Sequence, residues 1–222
     1  MKTIYLIRHS APFVEIENYD DYKNVPWSDY NRNMILSSEG EEKAKKLCNI
    51  VELKHLDAVY SADSFRAIGT AKYVAEINNL KIKLDNRINE RNLGVNTISE
   101  LPENQTLESF KNKDYKFGNG ESLNEVDKRF NSFINEILES NYNNIALFIH
   151  GIIMMSFLQN NTNFSFDGKN MRLLFNNKEI YNDKMKNPMV FKIEYENNMI
   201  VDIKEISANW LIPNTQTTLV VS

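Results

Sequence analysis

Short, nearly continuous apolar runs recur along this chain, with amphipathic stretches between them. A strand that is apolar on both sides must be covered on both sides, which points to a parallel sheet sandwiched by helices and away from a one-sided antiparallel sheet. Residues 3–7 (TIYLI), 57–61 (DAVYS), 81–84 and 144–150 (NIALFIH) read as such strands. Ser38 and Glu41 have the spacing of a capping box, opening a helix with Ala44, Leu47, Cys48 and Val51 on one face. Asp63 or Ser64 caps a helix with Ile68, Ala71 and Val74/Ala75 inward, and Ser122 with Glu125 opens a helix striped by Val126, Phe130, Phe133, Ile134 and Ile137/Leu138. Gly151 starts an apolar helix that runs to about Gln159. Residues 189–195 and 199–206 alternate around Glu196-Asn197-Asn198 and predict a C-terminal hairpin. The order predicts an α/β fold, a three-layer α/β/α sandwich with a mostly parallel central sheet and an antiparallel C-terminal hairpin, in a single domain over 1–222. Segments 14–36, 95–120 and 160–187 carry no clean period and read as loops.

Composition narrows the setting. Apolar residues at 42% and charged residues at 25% suit a globular protein, and a net charge of −4 offers no general basic field for nucleic acid or an anionic membrane. The single cysteine, Cys48, excludes an internal disulfide, fits a reducing cytoplasm and sits on an apolar helix face. The first apolar run is broken by Arg8, too early for a secretory segment, and the run over 145–158 falls short of the roughly 20 residues that span a bilayer. A cytoplasmic protein with no membrane partner is expected. Asp20-Asp21 reads as a solvated loop pair, not a cation site.

The scarce residues point to the chemistry. There are three histidines and seven arginines, with no CxxC and no HExxH, so a zinc site of Cys/His type is not expected, and no motif calls for a cofactor. Arg8-His9 follows the first strand, His150-Gly151 follows the strongest one, and Arg66 lies in the first turn after the second. In a parallel sheet these positions share the rim at the carboxyl ends of the strands, where ligands bind. Two guanidinium forks match phosphate oxygens, a neutral imidazole can attack phosphorus, and a second can stabilise the charge that moves. A nearby carboxylic acid is then needed to protonate the leaving alkoxide. His55 reads as a surface histidine. Glu121 and Ser122 read as helix-start structure, and Arg87 and Arg91 are left outside the anion pocket.

The motifs carry a resemblance. Arg8-His9, Ser61 followed by Arg66-Ala67 and Thr70-Ala71, Glu90 with Gly94 four residues on, Gly120-Glu121-Ser122 and His150-Gly151 stand in order over residues 3–158. The chain resembles the histidine phosphatase superfamily, the phosphoglycerate mutase-like proteins. The resemblance implies that His9 is the nucleophile that becomes a phosphohistidine. It implies that Arg8, Arg66 and His150 form the phosphate pocket, that Glu90 is the acid–base group, and that no metal is required. Ser10 stands where many members carry Gly or Ala; it is placed with the substrate contacts, its hydroxyl either donating to phosphate or filling space. The three loops are where family members build substrate caps. The distinctive mutase stretches are not recognised in 10–24 or 94–104, so the resemblance implies a metal-independent phosphomonoesterase of the histidine acid phosphatase type, acting on a small-molecule phosphate ester. A phosphoglycerate-type mutase and a non-catalytic phospho-ligand binding module are the alternatives. Neither the substrate nor the oligomeric state is legible.

Overall fold

A computed structural model describes residues 1–13 and 26–206. Strand β1 (Lys2–Arg8) shows why the sheet is covered on both sides. Ile4 and Leu6 project into one apolar cluster, while Tyr5 and Ile7 project into another on the opposite face. Strand β4 (Asn144–Ile149) divides in the same way, with Ile145, Leu147 and Ile149 on one face and Ala146 and Phe148 on the other. Each fully buried aliphatic side chain of this kind stabilises by roughly 1.5–3 kcal/mol.

With β2 (Ala58–Ser61), β3 (Ile82–Leu84), β8 (Met189–Glu196) and β9 (Met199–Glu205), these strands form a sheet of order β3-β2-β4-β1-β8-β9. The first four strands are mutually parallel, and β8 and β9 form the antiparallel hairpin. Asn197 and Asn198 turn that hairpin with φ of 50° and 62°, the left-handed pair that a type I′ turn needs. Residues from α3 (Phe65–Ile77) and the turn after α2 (Ser38–Lys46) cover one face. Helices α5 (Leu123–Glu139) and α6 (Gly151–Asn161) cover the other. The expected α/β architecture with a mostly parallel central sheet is present.

Several local expectations change. Helix α2 is capped one residue early: Ser37, not Ser38, accepts the Gly40 amide, and Glu41 binds Tyr73 and Lys72 instead of closing a box. The chain leaves the α-helix at Leu47 for short 3-10 turns, which turns Val51 out to solvent, away from Ala44 and Leu47. The box at Ser122 and Glu125 is present as read.

The segment 160–187 is not a loop. It forms a second, antiparallel sheet of β5 (Asn163–Phe166), β6 (Met171–Phe175) and β7 (Lys178–Asp183), whose Met171 and Leu173 enter the α5–α6 cluster. Segment 95–120 contains a short helix, α4 (Gln105–Lys111). Of 14–36, residues 26–36 hold helix α1 (Trp27–Asn33), with no buried residue, while 14–25, including Asp20 and Asp21, lie outside the described residues. Among the described residues, no helix is long and apolar enough to cross a membrane.

Candidate active site

Strands β1 and β4 are neighbours and end level, Arg8 pairing with Ile149. His9 and His150 are therefore the first residues past the same edge. The His9 amide donates to the Ile149 carbonyl at 3.0 Å, and the two imidazole centroids lie 5.1 Å apart at 62°. Both rings are buried. Strand β2 ends beside β4 and feeds α3, whose first turn delivers Arg66, a guanidinium only 3% exposed.

Arg66 joins the histidines. Its Nε donates to His9 Nε2 at 3.2 Å and its Nη2 to His150 Nδ1 at 3.0 Å. A guanidinium can only donate, so both ring nitrogens facing it carry lone pairs. His9 Nδ1 then bears the hydrogen and donates to the Ser10 carbonyl at 2.8 Å. His150 Nε2 bears the other and meets Ser64 Oγ at 3.1 Å. Burial, reinforced by Arg66, holds both imidazoles well below their ordinary proton affinity, so they are neutral. The outer edge of Arg66 is held by helix α1: Nη1 donates to the Asn31 carbonyl and Nη2 to Asn31 Oδ1 at 2.8 Å.

Arg8 reaches the same space. Its Nη1 donates to the carbonyls of Met185 and Lys186 at 3.1 and 3.2 Å, and its buried Nε has no partner among the described residues. Burial, partly offset by Glu90, brings this guanidinium down to about 10. Glu90 Oε2 stands 3.7 Å from His150 Nδ1. Burial pushes the Glu90 carboxyl above its usual range against the opposing pull of the Arg91 amide, Arg66 and Arg8. Its segment is pinned from α5: Arg129 donates to both carboxylate oxygens of Glu121 at 2.7 and 3.0 Å and to the Arg87 and Glu90 carbonyls, and Glu121 accepts the Asn92 amide at 2.9 Å. Glu90, Ser64, Asn31 and His150 line a pocket of about 280 Å3 that extends past Trp27, Arg32 and Asp63.

Thus Arg8, His9, Arg66, Glu90 and His150 are brought together. Ser10 is not: it is fully buried, its hydroxyl donates to the Gly40 carbonyl at 2.7 Å and its amide to Thr70 Oγ1 at 2.9 Å. Its single donor hydrogen is spent fastening the chain after β1 to α2, which favours the space-filling alternative for Ser10. Arg91 lies beside the pocket, but its guanidinium turns to Ser109, Tyr115 and Glu121, and Arg87 pairs with Asp85 and Glu136. His55 is exposed.

Three partners are not evident from the sequence. Of the two cap candidates, Asp63 and Ser64, Ser64 stands at the N-cap but makes no side-chain cap bond, and its hydroxyl serves His150. Asn187, whose amide holds the His9 carbonyl at 3.1 Å, and Asn31 lie in segments without periodicity. Only the doubled N-cap choice at Asp63 and Ser64 hinted that one of the two had another task.

A cluster of this kind can seat a tetrahedral anion against fixed donors and present it to an unprotonated ring nitrogen. Residues 4–181 match the family model of the histidine phosphatase superfamily, branch 1. Phosphoserine phosphatase 1 of Hydrogenobacter thermophilus is 28% identical over 127 residues, 54% of this chain and 60% of that protein. The match thus spans about three fifths of that relative's length. A mycobacterial glucosyl-3-phosphoglycerate phosphatase, solved in complex with inorganic phosphate, aligns with a TM-score of 0.65 at 15% identity, covering 93% of this chain and 96% of the other. The phosphoglycerate mutase of Bacillus anthracis aligns at 0.62 and 17%, covering 92% of each. At such identities the solved structures share the fold, which serves phosphatases and mutases alike.

Proposed function

The chain belongs to the histidine phosphatase superfamily, branch 1, and from that membership we propose that it is a metal-independent phosphomonoesterase that carries the phosphoryl group on His9. One observation carries the reading. His9 is a buried, neutral imidazole whose Nδ1 is committed to the Ser10 carbonyl, leaving the Nε2 lone pair directed at Arg66, where an anion would be held. Arg66 and Arg8 take the equatorial phosphoryl oxygens, with His150 beside them.

In the first half-reaction, His9 Nε2 attacks phosphorus in line. The N–P bond forms as the P–O bond to the alcohol breaks, and Glu90, whose raised proton affinity suits an acid, protonates the departing oxygen. In the second, Glu90 takes a proton from water, the resulting oxygen attacks phosphorus, the N–P bond breaks, and phosphate leaves with His9 restored.

Phosphate release from an aryl phosphate should proceed undiminished in excess chelator. His9→Ala should lower it at least about 10³-fold while circular dichroism stays unchanged. Activity that disappears with chelator and returns with a divalent ion would contradict the mechanism. Transfer of the phosphoryl group to a second hydroxyl acceptor without net release would instead make the protein a mutase.

A further inference from the structure

Arg66 is gripped from the side that does not face the histidines. A guanidinium offers its N–H donors along forked edges of one rigid plane. The edge of Nε and Nη2 faces His9 Nε2 and His150 Nδ1. The edge of Nη1 and Nη2 faces a single residue, Asn31, which meets it with its main-chain carbonyl and with Oδ1 at 2.8 Å. Both hydrogens on Nη2 are thereby committed, one to each edge. Helix α1, which carries Asn31, buries no residue of its own. Its start is tied by the Trp27 amide to the Asn96 carbonyl at 2.7 Å, and the chain beyond it by Leu36, buried over Gly69 of α3. Between these anchors, Asn31 reaches into the site.

The two edges do different work. A phosphoryl group placed for attack by His9 Nε2 lies between that nitrogen and Arg66, so it takes the Nε and Nη2 hydrogens now shared with the rings. The contacts to Asn31 lie on the other edge and persist. They fix the guanidinium plane, and the plane decides whether both donors reach the phosphoryl oxygens together. Both oxygens of Asn31 are neutral. A carboxylate in their place would hold the fork but cancel the charge that the anion needs.

We propose that Asn31 is a positioning residue for phosphoryl transfer, holding the outer edge of Arg66 from α1 so that the inner edge meets the phosphoryl oxygens as a fork. The proposal rests on the phosphomonoesterase reading. Asn31 acts through Arg66, so its effect is independent of the alcohol that departs.

The test is Asn31→Ala, assayed on an aryl phosphate and an alkyl phosphate, with inorganic phosphate as competitive inhibitor. Because α1 buries no residue, the variant should keep the wild-type circular dichroism. Loss of one hydrogen bond to a charged group should lower kcat/KM about tenfold or more on both esters. Inorganic phosphate, which has no alcohol part, should inhibit more weakly by a similar factor. In an Arg66→Lys background, where an ammonium has no second edge to grip, Asn31→Ala should cost less than about twofold. A loss confined to one ester, with phosphate inhibition unchanged, would make Asn31 a contact of the leaving group and overturn the proposal. So would an undiminished loss in Arg66→Lys protein, or no loss in the wild-type background. Should wild-type protein hydrolyse no ester, the phosphomonoesterase reading falls, and calorimetry with inorganic phosphate still judges Asn31. Binding about tenfold weaker in Asn31→Ala protein supports the grip on Arg66, and equal binding removes it.

Discussion

Arg66 donates to both imidazoles, and that double contact decides where each ring keeps its proton. In the proposed mechanism His9 Nε2 needs no base, because burial, with Arg66 and Arg8, keeps it unprotonated. Glu90, the proposed acid, is tuned the other way, burial pushing it above its usual range. The signs give a pH profile. Activity rises as His9 loses its proton, at a pH below the ordinary histidine value, and falls as Glu90 loses its own, at a pH above the ordinary carboxylate value. Glu90→Gln keeps the shape and removes the acid, so it should abolish the alkaline limb of kcat/KM. It should lower turnover of an alkyl ester by about 10²–10⁴. An aryl ester with a good leaving group should suffer far less, and equal losses on the two would reduce Glu90 to a positioning residue. The residues of this cluster were legible because scarce types fell at strand ends. Ser64, Asn31 and Asn187 were not, because abundant polar residues gain a role only from the fold that brings them to Arg66, His9 or His150.

Helix α2 holds the floor of the site through backbone contact. A Cβ on Gly40 would sit 2.0 Å from the Ala11 carbonyl oxygen, so only glycine lets α2 approach the chain just past His9 closely enough for Ser10 to reach the Gly40 carbonyl. Gly40→Ala should therefore destabilise by about 1–3 kcal/mol. Melting should fall by roughly 2–4 °C for each kcal/mol, with kcat reduced as His9 shifts. An unchanged melting temperature would show that the chain after β1 yields without cost. Element boundaries followed the sequence where local chemistry acts alone: the Ser122–Glu125 box and the Asn197-Asn198 turn formed as read. They slipped where two candidates adjoin, as at Ser37 and Ser38. The small sheet was missed although its signals are the same in kind. Phe164 and Phe166 alternate around Ser165, Met171 and Leu173 around Arg172, and Asn176-Asn177 turns with positive φ like the later pair. Its strands are short and half-buried, and interleaved charges hid the period.

Across the whole molecule, the parallel sheet makes the site possible. Strands that run the same way point their carboxyl ends to one edge, and because β1 and β4 also end level the residues that follow them meet. That architecture was readable from strands apolar on both faces. The substrate side of the pocket was not, since it comes from α1 and the turn after β2, joined only in three dimensions. A protein of net charge −4 can still hold an anion there, because Arg8 and Arg66 are concentrated where it binds. The central claim is the covalent step on His9, and rapid quenching with an aryl phosphate tests it most directly. The account predicts one phosphoryl adduct per chain, stable to alkali and lost in acid, mapped by mass spectrometry to His9 and absent from His9→Ala protein. An adduct on any other residue, or undiminished turnover by His9→Ala protein, would contradict it.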